Sequence, residues 1–431
     1  MTLKKIQEII DDRIQPTAWE IRRLRKKSYQ RYLIFSDQEA LRVVESEKFL
    51  VTLYKQYQQG ERTVLGESTV AVAAGDDLRE RIEAAWEMAG LVANPVFSLP
   101  EKGLAYGTVN AQDDALKEHP LFYLDKIRDE LIKTPLPGVK VSSAEIFLDF
   151  REEEICNSNG LEQGREESEV LVEGVLLAEQ GGGFGGESGC WKQGRFYADL
   201  NLRAEFEKYA RFAREAQEAS VPGSGTFPVV FSEEALDTLF NYFVMQSSGG
   251  ARFQGWSRME IGGPVVLDLR GEALTLTSNP ALAGLMKTRA FDAQGLPVQS
   301  VAVIRENVFR QRTNNKRYAD YLGEPATGDF ANVEVAPGLK STAELLGDGP
   351  CYHLLRFSTF EPNPITGAFS GEIRTGYLLQ DGQVRPVKGG SVSGVIAEAF
   401  REAYFSKETT QRAAYLGPEA VRLEKLEIAG E

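Results

Sequence analysis

Two histidines and three cysteines are all the imidazole and thiol groups that a chain of 431 residues offers for holding a zinc-like metal or for thiol chemistry. Cys351 and His353 stand two apart in CYHLLRF, which reads as a strand, so their side chains point to one face and could share a metal. Two ligands do not make a site, and a pair half buried in a sheet is the plainer reading. The other histidine, His119, precedes Pro120 in a turn. ESGCW around Cys190, with His353 far downstream, supplies the residue types of a thiol hydrolase. Such a cysteine has to open a helix whose dipole stabilises the thiolate, whereas WKQGRFYADL alternates aromatic residues like a strand. Cys190 then reads as a small core thiol.

Glycine offers a second kind of chemistry. Gly181, Gly183 and Gly186 satisfy G-x-G-x-x-G after a strand, with Asp199 near the distance of a ribose-binding acid. A dinucleotide site needs those glycines to open a helix facing the pyrophosphate, and a strand follows instead, so they read as a hairpin tip. PNPITGAFSGEIRTG, Pro362 to Gly376, is dense in glycine just after an apolar run. Such a backbone either lets a ligand approach closely or only lets the chain turn.

The elements that must position these residues divide near ASVPGSGTFP, a small-residue and proline-rich stretch suited to a boundary. We expect two domains, 1–222 and 223–431, and an α+β fold: an α/β N-terminal domain and a β-rich, curved antiparallel C-terminal domain. In the first, ALRVVESEKFLVTLYKQY and ERTVLGESTVAVAA read as hairpin strands around QQG. DDLRERIEAAWEMAGLV reads as a helix capped by Asp76 or Asp77, and another helix runs from Leu202 to about Glu218. SSAEIFLDF and SEVLVEGVLLAE are strands flanking the turn NSNG. IRRLRKKSYQR, Ile21 to Arg31, reads as a solvated helix whose cations spread around its circumference. The second domain opens with the strand FPVVF and a helix from Ser232, which can cap it. GPVVLDL, EALTLTS, LPVQSVAVIRE, CYHLLRF, TGYLLQDG and LEKLEIAG follow as strands.

Composition narrows the partners. A formal charge of −14 opposes direct nucleic-acid binding. No apolar run approaches the roughly 20 residues of a membrane span. An N-terminus with acids inside its apolar stripe and three widely spaced cysteines fit a cytoplasmic chain with free thiols.

Read as an ordered set, LTLTSNP (Leu274 to Pro280), TRAFDAQGLPVQSVAVIREN (Thr288 to Asn307), RYADYLGEPATGDFANVEVAPG (Arg317 to Gly338), EPNPITGAFS (Glu361 to Ser370) and VKGGSVSGVI (Val387 to Ile396) resemble the TldD/PmbA peptidase family, historically labelled modulators of DNA gyrase. The resemblance implies two domains and dimers enclosing a peptide cavity. It turns the Pro362 to Gly376 segment toward that interior, with Gly367, Ser370, Gly371 and Gly376 as candidate peptide-binding positions. The TldD branch carries H-E-x-x-x-H on the helix opening the second domain and a cysteine near the chain end as zinc ligand. Laid on that helix without gaps, the histidine positions fall on Asn241 and Gln246 and the glutamate position on Tyr242. No H-E-x-x-x-H occurs anywhere in the chain, and AAYLGPEAVRLEKLEIAG contains no cysteine. The resemblance therefore implies a PmbA/TldE-like subunit without a metal or catalytic residues of its own. Its partner would be a TldD-type subunit that holds zinc, and its substrate a peptide. The competing readings are a homodimeric peptide-binding or scaffold protein and, more remotely, an enzyme using Cys351 or His353.

Overall fold

Runs of β-branched and aromatic residues in the first half zip into one antiparallel sheet. A computed structural model describes residues 2–35, 37–73, 75–347 and 349–431. Strands β1 (Ala18–Ile34), β2 (Asp37–Gln59), β3 (Arg62–Val72), β4 (Val139–Asn157), β5 (Glu162–Gln180) and β6 (Gly183–Gly194) lie in the order β3-β2-β1-β4-β5-β6. Gly181 and Gly182, both with positive φ, make the turn between β5 and β6, as expected of a hairpin tip.

Alternation along β1 decides which face is covered. Trp19 and Ile21 pack under α1 (Leu3–Arg13) and α2 (Leu78–Ala89), through Ile6, Ile10, Ile82 and Ala85. Asp77 caps α2 by accepting the N–H groups of Arg79 and Glu80. After the short α3 (Asp114–Glu118), helices α4 (Pro120–Lys133) and α5 (Leu202–Glu215) cover the other end, with Leu124, Ile127, Phe206 and Tyr209 against Ile146, Leu148, Val170 and Val172.

The segment Ile21 to Arg31 is a strand and not the expected helix. The reason lies outside it. Arg25 stands opposite Glu47 on β2 and Glu152 on β4, and Lys27 opposite Glu45. Arg22 bonds Glu153 and Arg25 bonds Glu152, so a ladder of acids on the flanking strands neutralises the cations.

The second half holds β7 (Gly225–Ser232), β8 (Leu276–Asn279), β9 (Val301–Arg305), β10 (Val308–Phe309), β11 (Asn332–Val335), β12 (Cys351–Phe360), β13 (Ala368–Gln380), β14 (Gln383–Val387), β15 (Ser391–Val395), β16 (Ala403–Phe405), β17 (Thr409–Arg412), β18 (Tyr415–Pro418) and β19 (Ala420–Ala429). One sheet runs β10-β9-β8-β11-β18-β17 and the other β12-β7-β19-β15-β13-β14. Because β12 also pairs with β13, the strands β12, β7, β19, β15 and β13 close into a ring around Phe231, Phe360, Phe369, Ile373, Val392 and Leu426. Pairing is antiparallel except for β7 with β12 and β11 with β18.

Two expectations fail here. GPVVLDL forms no strand, because Asn307 takes over the pairing: its side chain bonds both the N–H and the C=O of Val266. The helix after Ser232 is broken into a 3₁₀ turn, Glu233–Ala235, then α6 (Leu236–Leu239) and α7 (Asn241–Gln246). Ser232 does not cap it, since its hydroxyl bonds His353 instead.

The uncovered face of the first sheet meets the second half. Tyr54 and Phe97 pack with Tyr321, and Ile155 and Leu161 with Phe291. Tyr106 donates to the carbonyl of Gly295 at 2.9 Å and Arg165 to that of Phe291 at 3.0 Å. No helix among the described residues is long and apolar enough to cross a membrane.

Candidate functional site

The glycine-rich segment is two structures joined at Gly367. From Pro362 to Gly367 it is a tight loop, wound on Asn363, whose side-chain oxygen accepts the N–H groups of Ile365 at 3.0 Å and Thr366 at 2.9 Å. Gly367 donates to the Asn363 carbonyl and accepts from the N–H of Ile396, each at 2.8 Å. Its φ is +75°, a conformation that favours glycine, and a Cβ there would crowd the Tyr242 ring at 3.2 Å.

From Ala368 onward the chain is β13, which corrects the reading of Pro362 to Gly376 as one loop. Ser370 is exposed, but Gly371 and Gly376 face inward. A Cβ on Gly371 would sit 2.8 Å from Phe357 and 3.0 Å from Phe360, and one on Gly376 would sit 2.7 Å from Leu354. These two glycines make room for large side chains of the ring, an arrangement invisible without the pairing of β12 and β13.

The loop rests on α7. Gln246, 1% exposed, donates its side-chain amide to the carbonyls of Trp256 and Pro364, both at 3.1 Å, and more weakly to that of Ile365 at 3.4 Å. Its side-chain oxygen accepts the N–H of Arg258 at 3.0 Å. The half-buried Tyr242 packs on Phe243 and against Gly367, and burial raises its phenol pKa, which keeps it protonated at neutral pH. Asn241 is half buried at the start of the helix. This donor set does not fit zinc: a neutral amide already saturated with hydrogen bonds and a protonated phenol replace imidazole and carboxylate.

The other candidates do not assemble. Cys190 is buried in β6, and burial pushes its thiol up to about 12. Burial also pushes the Cys351 thiol to about 11; this residue packs with Val230, Leu345 and Ala420. His353 makes its hydrogen bond to Ser232, at 2.9 Å, and burial lowers it to about 4, leaving a neutral imidazole. His119 ends α3 and precedes Pro120 at the start of α4. Among the described residues no three His, Cys, Asp or Glu side chains are grouped to hold a metal.

Sequence reasoning missed a polar network beside Ser232, where the two halves meet. Arg412 binds Glu233 at 2.8 Å and Asp237 at 3.2 Å, Lys208 of α5 reaches Glu233 at 2.8 Å, and Arg356 bonds Glu234 and, across the junction, Ser188. Its members come from segments far apart in the chain, and no local pattern announces them.

Residues 224–430 match the family described as the PmbA/TldA metallopeptidase C-terminal domain. An uncharacterized protein of Methanocaldococcus jannaschii is 26% identical over 203 residues, which cover 45% of this chain and 49% of that protein, so the match spans about half of the relative's length. TldE from Thermococcus kodakarensis superposes with a TM-score of 0.80 at 19% identity, covering 99% of both chains. A protein of Thermotoga maritima described as a candidate modulator of a DNA gyrase superposes with a TM-score of 0.81 at 17% identity, covering 99% of this chain and 100% of that one. A similarly described protein of Bacteroides thetaiotaomicron gives 0.81 at 16% identity, with 99% of both chains covered.

Proposed function

Because its C-terminal half makes this chain a member of the TldD/PmbA family, we propose that it is the metal-free subunit of a two-component peptidase that processes unstructured peptides. Its part is to complete the cavity around a zinc ion held by a TldD-type partner, and its two domains divide at 222/223. The observation that carries this reading is the use made of α7. The helix lies beside the glycine loop, and Gln246 spends its side chain on four hydrogen bonds to the backbone of neighbouring segments. The element serves as architecture and not as a ligand set. The fold likeness to TldE over nearly the whole chain agrees with this.

Chemically, the subunit's contribution would be to hold an extended substrate by main-chain hydrogen bonds near the Pro362–Gly367 loop and exposed Ser370, so that the scissile carbonyl meets the partner's metal. Inward-facing Gly371 and Gly376 shape the ring behind that surface. The test is co-expression with a TldD-type chain carrying H-E-x-x-x-H. Native mass should give a 1:1 complex that cleaves an unstructured peptide, while this chain alone is silent. If only self-association is seen beside that partner, or if the partner alone cleaves equally fast, the homodimeric peptide-binding reading replaces this one.

A further inference from the structure

We infer that Gln246 is the clamp that fixes the Pro362–Gly367 loop, so that a position without metal chemistry has acquired a positioning role. The amide ties three separate stretches together. Its nitrogen faces the carbonyls of Trp256, Pro364 and Ile365, and its oxygen faces the N–H of Arg258. Only this orientation of the amide matches donors to acceptors, so the nitrogen and oxygen are assigned by their partners. A second contact reinforces the turn: Ser257 donates its hydroxyl to the Gln246 carbonyl. The side chain is buried, so each of these backbone groups would lose its partner, with little water to replace it, if the amide were removed.

The loop has few other anchors. Asn363 organises it internally, Gly367 is bonded to Ile396, and Thr238 donates to the Phe360 carbonyl at 2.7 Å just before it. Pro362 is buried where the loop begins, but Ile365 and Thr366 at its tip are exposed, so the tip has little apolar burial of its own. Pro364 and Ile365 are therefore held to the helix mainly through Gln246. Histidine could not do this, because a neutral imidazole has one donor and one acceptor where the site uses two amide hydrogens on carbonyls and one oxygen on an N–H. The bonding that locks the loop excludes the ligand type that would bind a metal here.

Hydrogen exchange on the full chain tests the clamp directly. In Gln246→Met, which keeps the length of the side chain and removes its polar atoms, the amides of Asn363, Ile365, Thr366 and Gly367 should exchange at least about tenfold faster, while those of β12 and of the N-terminal sheet stay within about twofold of wild type. In Gln246→Glu, loop protection relative to wild type should fall as pH rises from 5 to 8, since the ionised carboxylate donates nothing to the carbonyls; a merely space-filling residue gives no such pH dependence. Unchanged loop exchange, equal acceleration across the whole domain, or global unfolding of both variants overturns the clamp. Its consequence for peptides rests on the two-component reading and is measured separately. In the complex with the TldD-type partner, Gln246→Met should raise KM several-fold at little change in kcat. Faster loop exchange with an unchanged KM keeps the clamp and removes the loop from the peptide site.

Discussion

Glu20 offers a quantitative test of how the two halves are joined. It lies on β1, 6% exposed, and one of its carboxylate oxygens is buried with no hydrogen-bond partner. Burial raises its pKa from 4.5 to about 7; Arg22 and Arg317 pull it down, while Asp292 and Glu153 push it up. Two of these groups, Arg317 and Asp292, belong to the second half of the chain. A carboxyl that holds its proton more tightly folded than unfolded makes the folded state lose stability as pH rises from about 4.5 to 7, after which the loss is constant. At about 1.4 kcal/mol per pKa unit, the shift from 4.5 to about 7 costs about 3 kcal/mol at pH 8 and under about 1 kcal/mol at pH 5. Glu20→Gln keeps the shape and abolishes the ionisation. Urea denaturation should find the variant more stable than wild type by about 2 to 3 kcal/mol at pH 8 and nearly equal at pH 5. Equal stabilisation at both pH values, or a destabilised variant at pH 8, would refute the reasoning. The latter would mean that the ionised carboxylate is held by Arg22 or Arg317 more strongly than burial opposes it.

Three further outcomes are expected. The chain purified alone should carry no stoichiometric zinc or iron by elemental analysis, because Asn241, Tyr242 and Gln246 offer neither imidazole nor carboxylate; about one tightly held metal per chain would contradict this. Gly371→Val should destabilise by about 1 to 3 kcal/mol in thermal or urea unfolding, since its side chain meets Phe357 at 2.8 Å, while Ser370→Thr on the exposed side of the same strand should change stability by less than about 0.5 kcal/mol. His353, lowered to about 4 by burial, stays neutral in the folded state and contributes stability that is lost as pH falls from about 6.5 toward 4; His353→Gln should flatten that limb of the pH–stability curve, and an unchanged limb would assign it to other groups.

What the sequence determined by itself is local. Asp77 capping α2, the apolar stripe of α5, the glycine turn at 181–182 and the strand CYHLLRF were all readable because their signals lie within one turn or one strand of themselves. The ordered motifs of the second half likewise point to an α+β family fold. What only the tertiary structure decided depends on residues far along the chain. Ile21 to Arg31 has the charge of a solvated helix until Glu153, 131 residues beyond Arg22, turns it into the centre of a sheet. Ser232 has the chemistry of a helix cap until His353 claims its hydroxyl. Gly371 and Gly376 look like loop residues until β12 brings Phe357, Phe360 and Leu354 against them. Gln246 looks like a vacant ligand position until the loop 118 residues away delivers the Pro364 carbonyl to it. In each case the side chain's preference is weak and satisfied several ways. The partner that folding brings within about 3 Å selects among them, and spacing along the chain carries no record of that partner.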